Sequence, residues 1–403
     1  MPFDVTQNRF SCFFAGTDGT DGHPGPGLQI TAGSSTVRGL AIFSFPGDGL
    51  DLRTAGGNTI TGNHLGTDAT GAADLGNGGR GVFVFGVDSN VIGGVGAGDG
   101  NVISGNDRHG VGVYRGAAGG NTVEGNYIGT DVTGSATLAN AVQGIQISDS
   151  PDNQIGGTPV GAGNVISSNG AHGVQIRGLP STGNVIEGNL IGTDAAGTSP
   201  LGNAASGIIV SGGTGTQIGG AAAGAGNVIG GNGQHGVWLV TSLSENNEVE
   251  GNFIGTDSSR TLNLGNGAYG VVVSNGADNR IGGSATGAGN TIANNGKPGV
   301  AILKTTTGNI ISRNSIFDNA GRGIDLGGDG YSSNDETAGD EGADTGPNNM
   351  QNFPVITSTQ IIVDEAIARP VLLGPSIYGI TFPAEDANRD GAVRVLPDIE
   401  AIT

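Results

Sequence analysis

Short runs of alternating apolar and polar residues recur along this chain, each opened by a glycine and separated by Gly/Asn turns. The opening glycines are Gly81, Gly110, Gly144, Gly173, Gly207, Gly236, Gly270, Gly299 and Gly323, at spacings of 29, 34, 29, 34, 29, 34, 29 and 24. Alternation at period two predicts β-strands. The shortest unit, Gly299 to Arg322, shows the plan without insertions: Gly-Val-Ala-Ile, then Asn-Ile-Ile-Ser-Arg-Asn, then Ser-Ile-Phe-Asp-Asn. It reads as three short strands. The 29-residue units add about six residues between strands two and three, as at Val95 to Gly100. The 34-residue units add a loop after strand three, as at Thr130 to Gln143. A coil of about 22 residues, Gly27 to Asp48, precedes them.

Two units make one longer repeat. Ile-Gly-Thr-Asp ends at Asp131, Asp194 and Asp257, with Leu-Gly-Thr-Asp ending at Asp68, in steps of 63. Ile-Gly-Gly begins at Ile92, Ile155, Ile218 and Ile281, and Asn-Val/Thr-Ile at Asn101, Asn164, Asn227 and Asn290, again 63 apart. A fixed period of this kind marks a repeat architecture.

A three-strand coil of this length cannot bury its own inward face, so it must stack on its neighbours. At about 4.8 Å per coil each strand pairs in parallel with its copies, and ten coils make a rod roughly 48 Å long. The fold class is therefore all-β, a right-handed single-stranded parallel β-helix of about ten three-strand coils with an irregular C-terminal tail. Inward positions become ladders of like side chains: Val111 and Val113, Val174 and Ile176, Val237 and Leu239. Asn63, Asn106, Asn126, Asn169, Asn189, Asn232, Asn252, Asn295 and Asn314 recur at turns. Asn tolerates left-handed backbone, and its amide can bond to the amide of the next coil, so these read as turn-forming ladders.

Composition agrees with a core of small aliphatic stacks. There are 82 Gly in 403 residues, 35% hydrophobic and 4% aromatic residues. The net charge of −20, from 16 Lys+Arg against 36 Asp+Glu, repels phosphate backbones and anionic lipid heads. Nucleic acid and membrane-surface binding are thereby disfavoured. No run approaches the length of a membrane span. Cys12 is the single cysteine, so no intrachain disulfide forms and the redox compartment stays open. Met1-Pro2-Phe3-Asp4 lacks the basic and apolar regions of a signal peptide.

These residues resemble the parallel β-helix repeat proteins of the pectin-lyase-like fold. Large secreted or surface bacterial proteins with Gly-Asn-x-Ile-Gly-Thr-Asp repeats are the closest in pattern. The resemblance covers Gly27 to Thr357. It implies the fold and an extracellular or cell-surface location. Because such proteins are longer and exported, and the first coil begins abruptly, the sequence reads as a fragment. The resemblance does not single out an activity, since this fold hosts lyases, hydrolases, adhesins and proteins of other roles.

The best chemical motif is Asp386-Ala-Asn388-Arg-Asp390-Gly391, which matches the first half of an EF-hand loop. There, oxygens at positions 1, 3 and 5 wrap Ca²⁺ and Gly at 6 allows the turn. The stretch Asp386 to Thr403 resembles half of a dockerin-type module. Position 12 is Pro397, with Asp398 one residue later, and no second copy follows. Asp386, Asn388, Asp390 and Asp398 are the candidate Ca²⁺ ligands; an acidic surface turn is the alternative. A second acidic cluster, Asp325, Asp329, Asp335, Glu336, Asp340, Glu341 and Asp344, reads as a solvated cover over the end of the helix rather than a Ca²⁺ loop.

Asp68, Asp131, Asp194 and Asp257 lie two coils apart, about 9.6 Å by strand spacing, too far to share one ion. Each is expected to cap its own loop. His109, His172 and His235 each precede a strand-opening Gly at the same 63-residue step, and their repetition argues for a turn role. A His-Gly step also occurs in polygalacturonase-like enzymes, but those need several Asp converging on one His. A lyase base would come from Arg108, Arg115, Arg177, Lys297, Lys304, Arg313 or Arg322, none in a diagnostic motif.

The expected organisation is an entry segment over 1–26, coils over 27–326, an acidic loop over 327–352 and a tail over 353–403. Near-identical repeats give no coil a unique polar site. The leading function is thus a non-catalytic extracellular or cell-surface scaffold of adhesin type, a monomeric rod touching carbohydrate or another cell-surface polymer. A polysaccharide lyase or glycoside hydrolase is the alternative.

Overall fold

The computed structural model describes residues 25–116, 119–304, 306–330 and 347–350, with short strands at Asp4–Val5, Ile362–Asp364 and Ala392–Arg394. Two compact units divide the chain, Met1–Gln351 and Asn352–Thr403. In the second, Ile362–Asp364 pairs antiparallel with Ala392–Arg394. The first is the solenoid that the alternating pattern predicts, a right-handed parallel β-helix. Asp4–Val5 lies in the stretch expected to be irregular, yet pairs in parallel with Thr36–Arg38.

Each coil contributes one strand to each of three parallel sheets. Sheet 1 holds the strands that follow the opening glycines, eleven from Leu28–Ile30 to Ile324–Leu326. Sheet 2 has eleven strands, ending at Ile310–Ile311, and sheet 3 has ten, from Ala41–Ile42 to Ser315–Phe317. Register is uniform: Val111 pairs with Val82 on one side and Ile145 on the other, and Val113 with Val84 and Ile147. The core is therefore a set of aliphatic columns. Val111, Val113, Val174, Ile176, Val237 and Leu239 are all completely buried.

Three asparagine ladders, one per corner, bind the coils together. Between sheets 1 and 2 the rungs run Asn58, Asn90, Asn121, Asn153 and Asn184, then resume at Asn247, Asn279 and Asn309. Thr216 interrupts this ladder, and its buried Oγ1 has no partner. Asn348 adds a further rung, accepting from the Asn309 backbone N–H at 2.9 Å. Asn63, Asn101, Asn126, Asn164, Asn189, Asn227, Asn252, Asn290 and Asn314 form the second ladder. The third runs from Asn77 through Asn106, Asn140, Asn169, Asn203, Asn232, Asn266 and Asn295 to Asn319. The nine turn asparagines picked out by sequence thus belong to two different ladders.

The opening glycines are needed for space. A Cβ on Gly207 would lie 2.6 Å from Ile229 Cγ2 and 2.9 Å from both Asn232 Nδ2 and the Gly236 carbonyl oxygen. Gly144 and Gly270 meet the same three kinds of neighbour. Gly207→Ala is expected to cost about 2 kcal/mol through overpacking against a backbone that cannot retreat. A urea midpoint unchanged from wild type would show that the corner has slack.

Candidate binding face

The insertions fall beside sheets 2 and 3. The loops opened by Asp68, Asp131, Asp194 and Asp257 fold back over sheet 3: the Cβ position of Gly71 meets the His64 ring, that of Gly134 the Tyr127 ring and that of Gly197 the Leu190 side chain. Arg260 sits over Phe253 at 5.9 Å. Neighbouring loops are tied by backbone bonds, Val132 N–H to the Gly71 carbonyl at 3.1 Å and Ala195 N–H to that of Gly134 at 2.9 Å. The shorter insertions bury Ala162, Ala225 and Ala288 between sheets 2 and 3. Neither set of loops arises along the strands of sheet 1, which leaves its outer face as the place to look.

Each aspartate caps its own loop, as expected. Asp194 Oδ1 accepts from the N–H groups of Thr198 at 2.8 Å and Ser199 at 3.1 Å. Asp68 does the same for Ala72 and Ala73 and takes the Thr70 hydroxyl at 2.7 Å. That hydroxyl, with the backbone donors, holds the Asp68 carboxyl down at about 2. These carboxylates are occupied in turn formation.

On the outer face of sheet 1 the alternation places Phe83 and Phe85 on one strand and Tyr114 on the next. Phe83 and Tyr114 meet edge to face at 5.3 Å. Arg80 inserts its guanidinium against both, 4.0 Å from the Phe83 ring centre and 4.8 Å from that of Tyr114. Arg53 and Arg115 flank Phe85 at 5.2 and 5.6 Å. A second aromatic group lies further along the same face. His235 meets Trp238 at 5.1 Å and stacks on Tyr269 at 5.5 Å, with Lys297 Nζ 5.0 Å from the Tyr269 ring. Trp238 Nε1 donates to Ser274 Oγ at 2.7 Å. Phe83 and Trp238 are five coils apart, about 24 Å at the strand spacing.

Amides fill the interval. Tyr114 Oη donates to Gln146 Oε1, while Gln146 Nε2 and Gln143 Nε2 both donate to Gln175 Oε1, the latter at 2.9 Å. Two of the three repeated histidines take part through their inner nitrogen, whereas the buried Nδ1 of His235 has no partner. His109 Nδ1 accepts the Gln143 N–H at 3.4 Å and His172 Nδ1 the Ser206 N–H at 3.1 Å. This supports the turn role read from the sequence and fixes the neutral tautomer with its proton on Nε2. Burial, with Arg80 and Arg108 nearby, brings His109 down to about 4. Burial, with Lys297 nearby, does the same to His235.

Charge is unevenly spread. Between residues 27 and 326 there are 12 Lys and Arg and 20 Asp and Glu. Within three residues of a sheet 1 strand lie eight of those cations, Arg53, Arg80, Arg108, Arg115, Arg177, Lys297, Lys304 and Arg322, but only five of the acids. The face is locally cationic on a strongly acidic protein. Of the lyase-base candidates, Arg313 alone lies elsewhere, donating to the Ser284 carbonyl at 3.0 Å.

Asp386, Asn388, Asp390 and Asp398 lie outside the described residues, as do Asp335, Glu336, Asp340, Glu341 and Asp344. Asp325 is buried and accepts from the Gly328 N–H at 3.2 Å. Among the described residues no three His, Cys, Asp or Glu converge as metal ligands, and no helix is long and apolar enough to cross a membrane. The aromatic rows were missed by sequence reading. Their signal was present in the outward positions of Val-Phe-Val-Phe (82–85), Val-Gly-Val-Tyr (111–114) and Val-Trp-Leu (237–239).

No family model matches the chain, and neither does any curated protein. Solved structures do. The Dettilon tailspike protein is similar at 18% identity and a TM-score of 0.45, over 75% of this chain and 55% of that one. The periplasmic alginate epimerase AlgG is similar at 14% identity and a TM-score of 0.39, over 73% and 68%. The Streptococcus pneumoniae surface protein and adhesin PfbA follows at 11% identity and a TM-score of 0.28, over 74% and 83%. At these identities the likeness concerns the fold alone. This chain spans about half the length of the tailspike protein.

Proposed function

We propose that this protein is a non-catalytic extracellular or cell-surface rod that binds a carbohydrate polymer along the outer face of sheet 1. The observation that carries this reading is the pair of aromatic groups, Phe85 and Tyr114 packed with the buried Phe83, and Trp238 with Tyr269, on one uncrossed face with amides between them. Aromatic faces give sugar rings an apolar surface to stack on, while amide and guanidinium donors bond to their hydroxyls. Rigid parallel sheets hold these groups in fixed register without folding of the site on binding.

The enzymatic alternative has one foothold on the same face. Asp51 is buried, held through Oδ2 by Arg53 Nε at 2.6 Å and Gln29 Nε2 at 3.2 Å, and its Oδ1 has no partner. One experiment separates the readings. The protein is incubated with pectic, alginate and other polysaccharides, with and without Ca²⁺, following both retention on the polymer and release of reducing or unsaturated ends. Retention without product is expected. Trp238→Ala should weaken retention at least tenfold, since a stacking tryptophan is the kind of residue that dominates an interface. Asp194→Ala, whose loop covers sheet 3, should leave it unchanged. Product formation would overturn the non-catalytic reading, and loss of retention in Asp194→Ala would move the site to the loops.

A further inference from the structure

The middle of the sheet 1 face differs chemically from its two aromatic ends. One coil presents His172, Gln175 and Arg177 outward in a row, around the strand Val174–Arg177 whose Val174 and Ile176 point into the core. Each presents hydrogen only. The Ser206 N–H occupies His172 Nδ1, so its outward nitrogen carries the proton. Gln143 and Gln146 both occupy Gln175 Oε1, so what this amide has left to offer is its NH₂. Arg177 is exposed and forms no ion pair among the described residues, and its register partners, Ser148 and Ser211, are small and neutral. Asp149, in the preceding coil, takes the Ser148 hydroxyl through Oδ2 at 3.4 Å, while its Oδ1 lies beside Gly178.

We propose that His172, Gln175 and Arg177 form an oxyanion subsite that takes a carboxylate or sulfate carried by the bound polymer. Three donors on one strand, with no acceptor turned outward among them, match an acceptor-only group. A neutral hydroxyl, which must also donate, leaves its own hydrogen facing donors. The local excess of cations favours the same charge at longer range. The assignment rests on the carbohydrate-binding reading and adds the chemical class of the ligand.

The test compares one glucan backbone in three forms, hydroxyethyl cellulose, carboxymethyl cellulose and cellulose sulfate, by affinity electrophoresis of the full chain at low and at moderate salt. Wild type should bind the charged forms about tenfold more tightly than the neutral one, with the margin shrinking as salt rises. Whichever of carboxymethyl and sulfate binds better identifies the source of the oxyanion. Arg177→Ser, which installs the residue found in the coils above and below, should abolish the preference while retaining neutral binding, and Arg177→Lys should restore part of it. Equal binding of all three forms by wild type would overturn the oxyanion subsite and leave the carbohydrate reading standing. Binding of none of these, with no retention on pectic or alginate polymers either, would overturn both. A preference that survives unchanged in Arg177→Ser would also overturn the assignment.

Discussion

Asn169→Asp is expected to destabilise the β-helix by about 4 kcal/mol or more, from the loss of several buried hydrogen bonds at about 1–3 kcal/mol each. The Asn169 amide nitrogen donates to the carbonyls of Ile128 and Ser167, each at 3.1 Å, and to Asn203 Oδ1 at 2.9 Å. A carboxylate has no hydrogen for any of them. It would place charge against three oxygens in a corner that water does not reach. Its acceptor side would survive, still receiving Asn140 Nδ2 at the position now 3.0 Å away. The asymmetry makes the comparison informative: Asn169→Asp should be worse than Asn169→Ala, which removes the donor without adding the charge. Urea unfolding followed by far-ultraviolet dichroism measures both. A shift of less than 1 kcal/mol for the aspartate variant would mean that strand pairing holds the corner without the ladder. Thr216 marks what the architecture does tolerate, since its N–H still donates to Asn247 Oδ1 at 2.8 Å.

Mild acid is the second large perturbation. His109 and His235 are held at about 4 in the folded chain, against an ordinary 6.5, chiefly by burial. His172 is lowered too, for the same reason. Above 6.5 both folded and unfolded chains carry neutral imidazoles, and nothing is lost. Between 6.5 and 4 the unfolded chain binds protons that the folded chain refuses, so stability falls as pH falls. Below 4 the loss is complete. Discounted for partial solvent access, the groups together are worth on the order of 3 kcal/mol. Glu124 and Glu250, raised by burial, work in the opposite direction over part of this window. The capping carboxylates contribute little there, because Asp68 keeps its charge to about 2. Urea midpoints at pH 7, 5.5 and 4.5 should therefore decline, and His109→Gln with His235→Gln should flatten the decline. Gln143 already occupies the equivalent position in its own coil. A midpoint constant from pH 7 to 4.5 would show that the imidazoles reach water.

Much of the fold was legible because the repeat supplies its own evidence. An inward column such as Val111, Ile145 and Val174 is visible as soon as the 29- and 34-residue spacings are aligned. The capping role of Asp194 followed from the same logic, since a residue repeated every 63 positions serves the repeat. That reasoning also concealed the candidate site. Phe83, Trp238 and Arg177 are the residues that break the repetition, each at an outward position where neighbouring coils carry something else. Seeking what recurs finds the scaffold; a surface that binds one ligand is made from what does not recur. The separation of the asparagines into three ladders was hidden for a different reason. Turn residues 25 and 38 positions apart alternate, as from Asn101 to Asn126 to Asn164, and only the path of the chain shows which of them share a corner.

The ladders also give the rod an electrical direction. In each rung made between two asparagine side chains the nitrogen of one coil donates toward the oxygen of the next coil along the chain, as Asn140 does to Asn169 and Asn169 to Asn203. Only the added Asn348 rung is reversed, its Nδ2 donating back to the Asn309 carbonyl at 2.6 Å. Three columns of amide dipoles therefore point the same way and add, as peptide dipoles do along a helix. The positive pole lies at the C-terminal coil, beyond Asn314 and Asn319, and the negative pole at the N-terminal one. Asp318, Asp325 and Asp329 stand at the positive pole, where carboxylates are favoured. A β-helix built this way has two chemically unlike ends even where its coils are nearly identical: one attracts anions and the other cations.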